Sequence, residues 1–400
     1  MSSFTKSQSE AIRHVDGPLL VLAGPGSGKT TVVTKRVQYL VQDCSISPSS
    51  ILVITFTKAA ATEMKERFTR LMEQQAQPPG GYGNVSFGTF HAVFFNILKL
   101  SYGFTVANII TEETRRQYLK ESVDRMKLEI DDENEFLTGI AGEISLIKNE
   151  RVEVEHYFSK NCSEEVFRKI YEGYEERKKR ARLIDFDDML VYTWELLSQR
   201  KDILSAWQKK YQYILVDEFQ DINQLQYDIV RMLAAPEDNL FIVGDDDQSI
   251  YRFRGAKPEI MLHFKQDYPA AKQVLLDTNY RCTRLIVEGA CKVIENNKQR
   301  FAKKIQANKQ EGPPILHHKF RDQDEEYECV VDKIKTYREK GGSYRDIAIL
   351  FRTNTQPRKL VEELISEGIP FRMRDALPNL YDHWIVKDIF AYLHMARDMK

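Results

Sequence analysis

The chain of 400 residues carries 58 basic against 59 acidic side chains, a formal net charge of −1, with 42% hydrophobic and 11% aromatic residues. This excludes a disordered chain and a protein held to nucleic acid by bulk positive charge, so any polyanion has to be gripped in a local groove. Five scattered cysteines without a C-x-x-C pair argue against a disulfide framework or a zinc or iron–sulfur site, and the lack of an apolar signal core or spanning stretch points to a cytoplasmic protein with reduced thiols.

In chain order, Pro18–Leu22 is predicted to be a strand and Lys29–Val41 a helix with Val33, Val37, Leu40 and Val41 on one face. Ile51–Thr55 is the next strand, followed by a helix from about Ala59 to Met72. Two strands joined by a helix make a βαβ unit, and hence a parallel α/β sheet. Gln74–Gly83 is rich in Pro and Gly and reads as a loop. From about His91 to Leu204 the chain is charged, long in period and nearly free of strand signals, which reads as a helical insertion. Within it, Glu175–Arg182 reads as a solvated helix face rather than a DNA patch. Tyr213–Val216, Leu240–Val243 and Gln273–Leu276 return to the sheet. Past a break at Ala307–Pro314, strands are expected at Ile347–Phe351 and Ile369–Arg372, with helices at Gln356–Glu367 and about Trp384–Met399. That pattern reads as the start of a second α/β domain whose sheet is unfinished.

Between the first strand and first helix lies Ala23-Gly24-Pro25-Gly26-Ser27-Gly28-Lys29-Thr30. Strand, glycine-rich loop and helix together are the setting of a phosphate-binding loop, whose amides turn inward around phosphate oxygens at a helix N-terminus. Lys29 should reach the β- and γ-phosphates, and the Thr30 hydroxyl should hold Mg²⁺. Ala23 stands where the usual pattern has its first glycine. The strand Tyr213–Val216 runs into Asp217-Glu218, which supplies a metal carboxylate (direct or through water) and a general base from what is expected to be a neighbouring strand. Gln248, beyond the end of Leu240–Val243, is placed to sense the γ-phosphate.

These residues, with Ile54–Phe68 (ITFTKAAATEMKERF), Gly88–His91 (GTFH), Asp185–Leu190 (DFDDML), Leu215–Asp221 (LVDEFQD), Val243–Ala256 (VGDDDQSIYRFRGA), Leu276–Arg281 (LDTNYR) and Ile349–Arg352 (ILFR), make the chain resemble the superfamily 1 DNA helicases of the UvrD/Rep/PcrA group. The likeness runs in order from Gln8 to about Tyr392. It implies two RecA-like motor domains with ATP between them and movement with 3′-to-5′ polarity. On that likeness the expected organisation is a first RecA-like domain of residues 1–90 and 205–280, a helical insertion subdomain of 91–204, and the first half of a second RecA-like domain in 281–400. By position Gln8 would hydrogen-bond adenine, Tyr280 would stack on it, and Gln248 and Arg281 would touch the γ-phosphate. Thr31 stands where the family commonly has an arginine that sandwiches the adenine.

Single strands are gripped without sequence preference by aromatic faces and polar groups in alternation. Tyr251-Arg252-Phe253-Arg254 offers that directly after Gln248, so Tyr251, Phe253 and Arg254 are candidate DNA contacts, with Phe253 where close relatives usually carry tryptophan. Phe56 is a second platform, and Thr57 and His91 are backbone-contact candidates. Asp185 and Asp188 have the spacing of a helix cap and its third-position partner, a structural role preferred here over chemistry.

The expected function is therefore an ATP- and Mg²⁺-dependent helicase or translocase acting on single-stranded DNA or single/double-strand junctions. The family's later motifs and its large mobile subdomain are not in the sequence, so the chain is expected to be a fragment that neither translocates nor unwinds alone. A nucleotide-switched DNA-binding or protein-interaction module is the alternative, and the motor portion of a helicase–nuclease is a third reading.

Overall fold

The apolar runs at 19–23, 51–55, 213–216 and 240–244 form strands buried along their whole length, the normal condition inside a parallel sheet. The computed structural model describes residues 4–73, 84–128, 130, 132–252, 255–374 and 384–398. Its main sheet contains β1 (Leu19–Ala23), β2 (Ile51–Thr55), β3 (Ser86–Thr89), β4 (Tyr213–Val216), β5 (Leu240–Gly244) and β6 (Lys272–Leu276), all parallel, in the order β3-β2-β4-β5-β1-β6. Two features depart from expectation. β3, only half-buried and containing Gly88, gave no strand signal. The strands bearing the glycine-rich loop and the acidic pair are not neighbours, because β5 lies between β1 and β4.

Alternate residues of each strand feed two cores. One face (Leu20, Leu22, Leu52, Ile54, Ile214, Val216, Ile242) packs against helices from both the middle and the end of the sheet segment. The other (Leu19, Val21, Ile51, Val53, Leu215, Phe241, Val243) is covered by α1 (Lys6–Arg13), α2 (Lys29–Gln42) and α3 (Lys58–Glu73). Arg36 of α2 is almost fully buried there and donates to the carbonyls of Ala11 and Val15, 3.4 and 3.2 Å away, which ties α1 and the turn after it to α2.

Between β3 and β4 the chain is helical: α4 (Phe90–Tyr102), α5 (Glu112–Asp124), α6 (Glu133–Glu150), α7 (Glu164–Ala181), α8 (Phe186–Gln199) and α9 (Lys201–Lys210). Asp185 and Asp188 form the expected capping box of α8, each side chain accepting the other's backbone N–H at 2.8 and 2.9 Å. They also hold two buried ammonium groups. Lys178 of α7 reaches Asp185 at 2.8 Å and Asp188 at 2.5 Å, and Lys148 of α6 reaches them at 2.9 and 2.7 Å. Residues 175–182 are mostly exposed, but Lys178 is 2% exposed, because the two aspartates provide the counter-charge that lets a lysine leave water. Burial alone would raise the Asp185 carboxyl, but the two lysines outweigh it and hold it well below the usual carboxylate range.

After β4 come α10 (Gln224–Ala234), and then, beyond β5, α11 (Pro258–Leu262) and α12 (Phe264–Asp267). Past β6 a two-stranded parallel ribbon pairs β7 (Thr278–Asn279) with β8 (Gln306–Ala307), flanking α13 (Arg284–Ile294). The chain divides into two compact units at Ile315, so residues 281–315 pack with the first unit. The second unit contains α14 (Gln323–Glu339), α15 (Arg358–Ser366) and α16 (Trp384–Asp398), with a small core of Tyr327, Val331, Ile334, Leu360, Leu364 and Ile369. The strands expected at Ile347–Phe351 and Ile369–Arg372 are not formed. A strand needs a neighbour for its backbone groups, the described residues of this unit include none, and Leu350 is 93% exposed. The loop expected at 74–83 lies outside the described residues.

Candidate functional site

Parallel strands place all their carboxyl ends at one edge, and the candidate residues of the first unit other than Gln8 lie at or beyond such an end. His91 follows β3, Phe56 and Thr57 follow β2, Asp217 and Glu218 follow β4, Gln248 and Tyr251 follow β5, residues 24–31 follow β1, and Tyr280 and Arg281 follow β6. Nucleotide candidates therefore occupy β4-β5-β1-β6, and the DNA candidates Phe56 and His91 lie over β2 and β3.

Glycines shape the loop after β1. Gly26 and Gly28 have φ of +66° and +89°, left-handed values at which a side chain is strained, and Gly28 is the N-cap of α2. A Cβ on Gly26 would lie 2.7 Å from the Cβ of Arg281, so the segment after β6 sits directly on the loop. Asn279 holds it there. Its Nδ2 donates to the Pro25 carbonyl at 2.7 Å, its Oδ1 accepts the N–H groups of Arg281 and Cys282 at 2.8 Å each, and the Tyr280 N–H donates to the Gly26 carbonyl at 3.0 Å. Ser27 is buried with its hydroxyl donating to the Gly24 carbonyl at 2.7 Å, whereas Pro25 is exposed and Ala23 is buried as the last residue of β1.

Gln8 reaches this loop from α1. Its side chain completes a capping box with Thr5, and its Nε2 donates to the Ser27 carbonyl at 3.2 Å. Thr30 and Thr31 open α2, and the Thr31 hydroxyl accepts from Arg67 of α3 at 3.3 Å. Tyr280 is 37% exposed, and Arg281 is exposed.

Although β5 intervenes, the long Lys29 side chain spans the gap, and its ammonium donates to Glu218 Oε2 at 3.0 Å. Glu218 adopts φ of +52°, a left-handed backbone unusual outside glycine and of the kind found at functional sites. Asp217 is 4% exposed, and its Oδ1 has no hydrogen-bond partner. Asp221 Oδ1 is likewise buried without one. Burial, reinforced by the Glu218 charge, pushes the Asp217 carboxyl up to about 7 and that of Asp221 up to about 6. Asp217 and Asp221, near Glu218 and its Lys29 partner, thus each keep one buried oxygen unsatisfied. A divalent cation suits such a donor set.

Gln220 was not singled out by sequence, although it lies inside a quoted motif. Its Nε2 donates to Glu218 Oε2 at 2.9 Å and its Oε1 accepts the Asp245 N–H at 2.9 Å, linking the ends of β4 and β5. Gln248 donates to Asp245 Oδ2 at 2.6 Å.

Among DNA candidates, Phe56 packs edge-on against Phe90, 5.3 Å between centroids. The Thr57 hydroxyl accepts the Ala60 N–H at 3.1 Å, so it serves as a cap for α3. The His91 ring meets Phe186 edge-on at 5.4 Å, and burial lowers its pKa. Phe186 is 58% exposed, an aromatic face that sequence reading passed over because it sits inside the cap motif. Tyr251 is 38% exposed. Phe253 and Arg254 lie outside the described residues.

With this geometry in hand, comparison with known proteins gives a consistent picture. Residues 4–269 match the UvrD/REP helicase N-terminal domain model and 274–400 match the UvrD-like helicase C-terminal domain model. The chain is 39% identical over 395 residues to the YjcD protein of Bacillus subtilis (strain 168), covering 98% of this chain and 51% of that protein. It is 36% identical over 405 residues to the ATP-dependent DNA helicase PcrA of Leuconostoc citreum (98% and 52%), and 36% identical over 410 residues to that of Staphylococcus aureus strain Mu50 (99% and 54%). The chain thus spans about half the length of these curated relatives. Because both family models match, the expectation of a fragment draws no support from them. No helix among the described residues is long and apolar enough to cross a membrane.

Proposed function

The chain belongs to the UvrD/REP helicase family, and from that premise we propose that its first unit is the nucleotide-hydrolysing core of a motor acting on DNA, using ATP and Mg²⁺ and moving 3′-to-5′ on single strands or at junctions. The observation that carries this reading is the meeting of Lys29 and Glu218 at 3.0 Å beside the unpartnered, buried Asp217 Oδ1. The backbone N–H groups of Gly26, Gly28 and Lys29, with the Lys29 ammonium, would hold phosphates, and Thr30 with Asp217 would hold the metal. The metal, when bound, neutralises phosphate charge. Glu218 takes the proton of the attacking water, and Gln248 and Arg281 face the terminal phosphate. Gln8 and Tyr280 contact the base. Phe56, Tyr251 and the overlooked Phe186 offer stacking faces, with Thr57 and His91 as further contacts, and Phe253 and Arg254 are kept as DNA contacts from the sequence. The organisation given from sequence, a first RecA-like domain with a helical insertion at 91–204 followed by part of a second RecA-like domain, is retained as part of this proposal, with the boundary between the two domains moved from residue 281 to Ile315.

The test is ATP turnover with and without single-stranded DNA, comparing the parent with Glu218→Gln. We expect DNA stimulation and a loss of about 10²–10⁴-fold in kcat for the variant. Unchanged turnover in Glu218→Gln would remove the assignment, and nucleotide binding without any turnover would favour a switched binding module.

A further inference from the structure

Behind the loop that follows β5 sits a dense cluster of charge. Asp245, Asp246 and Asp247 are consecutive, the side chains of the first two are 0% and 1% exposed, and the third is 13% exposed. Carboxylates removed from water in a row require cations. One short segment after α13 supplies them. Arg300 grips both oxygens of Asp247 at 2.6 Å each. Lys303, with no exposed side-chain surface, places its ammonium 2.6 Å from Asp245 Oδ1, 2.5 Å from Asp246 Oδ1 and 2.9 Å from Asp247 Oδ2. The Phe301 N–H donates to Asp246 Oδ2 at 2.8 Å.

Asp245 is where this cluster meets the nucleotide site. With Oδ1 neutralised by Lys303, its Oδ2 is available to accept from Gln248. Its N–H is held by Gln220, whose amide in turn donates to the same Glu218 oxygen that accepts from Lys29. A continuous chain of polar contacts therefore runs from Lys303 to the two groups assigned to phosphate and water. The segment also touches the glycine-rich loop, since a Cβ on Gly24 would lie 2.5 Å from Ile305 Cδ1.

We propose that Lys303 is a positioning residue for nucleotide hydrolysis: it fixes Asp245 and, through it, the orientation of Gln248 and the Gln220–Glu218 contact. The proposal rests on the reading of the site as an ATPase. Without the ammonium, adjacent buried carboxylates repel, and Asp245 must turn toward water or take a proton. The first change frees Gln248, and the second weakens its bond by removing the charge of the acceptor. A compact ammonium converges on three carboxylates from one point, whereas the planar fork of arginine satisfies two oxygens side by side. Lys303→Arg should therefore keep the charge and the fold but loosen the geometry.

The experiment measures kcat, nucleotide Kd and thermal stability for the parent, Lys303→Met, Lys303→Arg and Gln248→Ala, and for each Lys303 change combined with Gln248→Ala. We expect kcat of Lys303→Met to fall on the order of 10–100-fold, with nucleotide Kd unchanged because Lys29 and its loop are untouched. The arginine variant should fall between it and the parent. Each double variant should lose little more than its worse single, the sign of residues acting through one another. If the methionine variant does not fold, the arginine cycle alone decides the matter. Wild-type kcat in the Lys303 variants, or losses that multiply with Gln248→Ala, would overturn the inference while leaving the ATPase reading intact. Absence of turnover in the parent would overturn that reading itself.

Discussion

The Lys29 ammonium is bonded to Glu218 at 3.0 Å although their parent strands, β1 and β4, are separated by β5. Phosphate entering the loop competes with Glu218 for that ammonium. Glu218→Gln removes the competitor, and the pair is partly exposed, so its worth is at most about 1 kcal/mol. We expect nucleotide affinity to hold or to tighten by up to about fivefold, by fluorescent-nucleotide titration. A marked loss of affinity would place Glu218 in binding rather than chemistry.

Two glycines in the same loop should respond differently to alanine. Gly28→Ala meets only strained backbone, since its Cβ would find nothing nearer than Gln8 Nε2 at 3.4 Å. Gly26→Ala adds a 2.7 Å approach to the Arg281 Cβ, which is fixed by the contacts of Asn279. Strain alone costs about 1–2 kcal/mol. Gly26→Ala should therefore weaken nucleotide binding and lower Tm more than Gly28→Ala, and the reverse order would contradict the packing described.

Burial, then the charge of Glu218, raises Asp217 from 3.8 to about 7. A carboxyl whose folded pKa exceeds its unfolded value holds its proton more tightly when folded. Its contribution to stability is complete below the unfolded pKa and is lost as pH rises toward 7, at about 1.4 kcal/mol per pH unit. In chelator-treated protein, Asp217→Asn should gain stability over the parent progressively between about pH 4 and pH 7. A difference in Tm that is constant across that range would show that Asp217 is not titrating there.

Lys178 shares three carboxylates with Lys148: those of Asp185, Asp188 and, at 2.9 Å, Glu175. Lys178→Met leaves buried acids under-compensated and should cost about 3–5 kcal/mol by denaturant unfolding. Arg180, three-quarters exposed and paired with Glu176 on the same helix, should change stability by less than about 0.5 kcal/mol on substitution with alanine. Equal effects would mean that α7 has no buried ionic face.

The sequence was most legible where burial is symmetric. β1, β2, β4 and β5 fall within one residue of expectation because a strand covered on both faces is an unbroken apolar run, and the edge strand β6 is marked by its apolar second half. Ser86–Thr89, short and half-covered, has no such run. The expected strands at 347–351 and 369–372 have apolar composition but no pairing neighbour, and composition cannot report on neighbours. The same blindness explains the misplaced adjacency of Lys29 and Asp217, since strand order is a property of space. Glycine-rich loop, acidic pair and cap residues are local patterns and could be read. Gln220 and Asn279 lie inside quoted motifs, but their long-range partners, like the partners of Arg300 and Lys303, are 25 to 254 residues away, and no local spacing marks such pairings.

The helical excursion of residues 90–210 departs from β3, a strand at the margin of the sheet, and the four strands that carry the nucleotide residues stand side by side, with no helix of that excursion between them. A change in the length of that excursion would therefore leave the mutual spacing of the proposed nucleotide residues undisturbed.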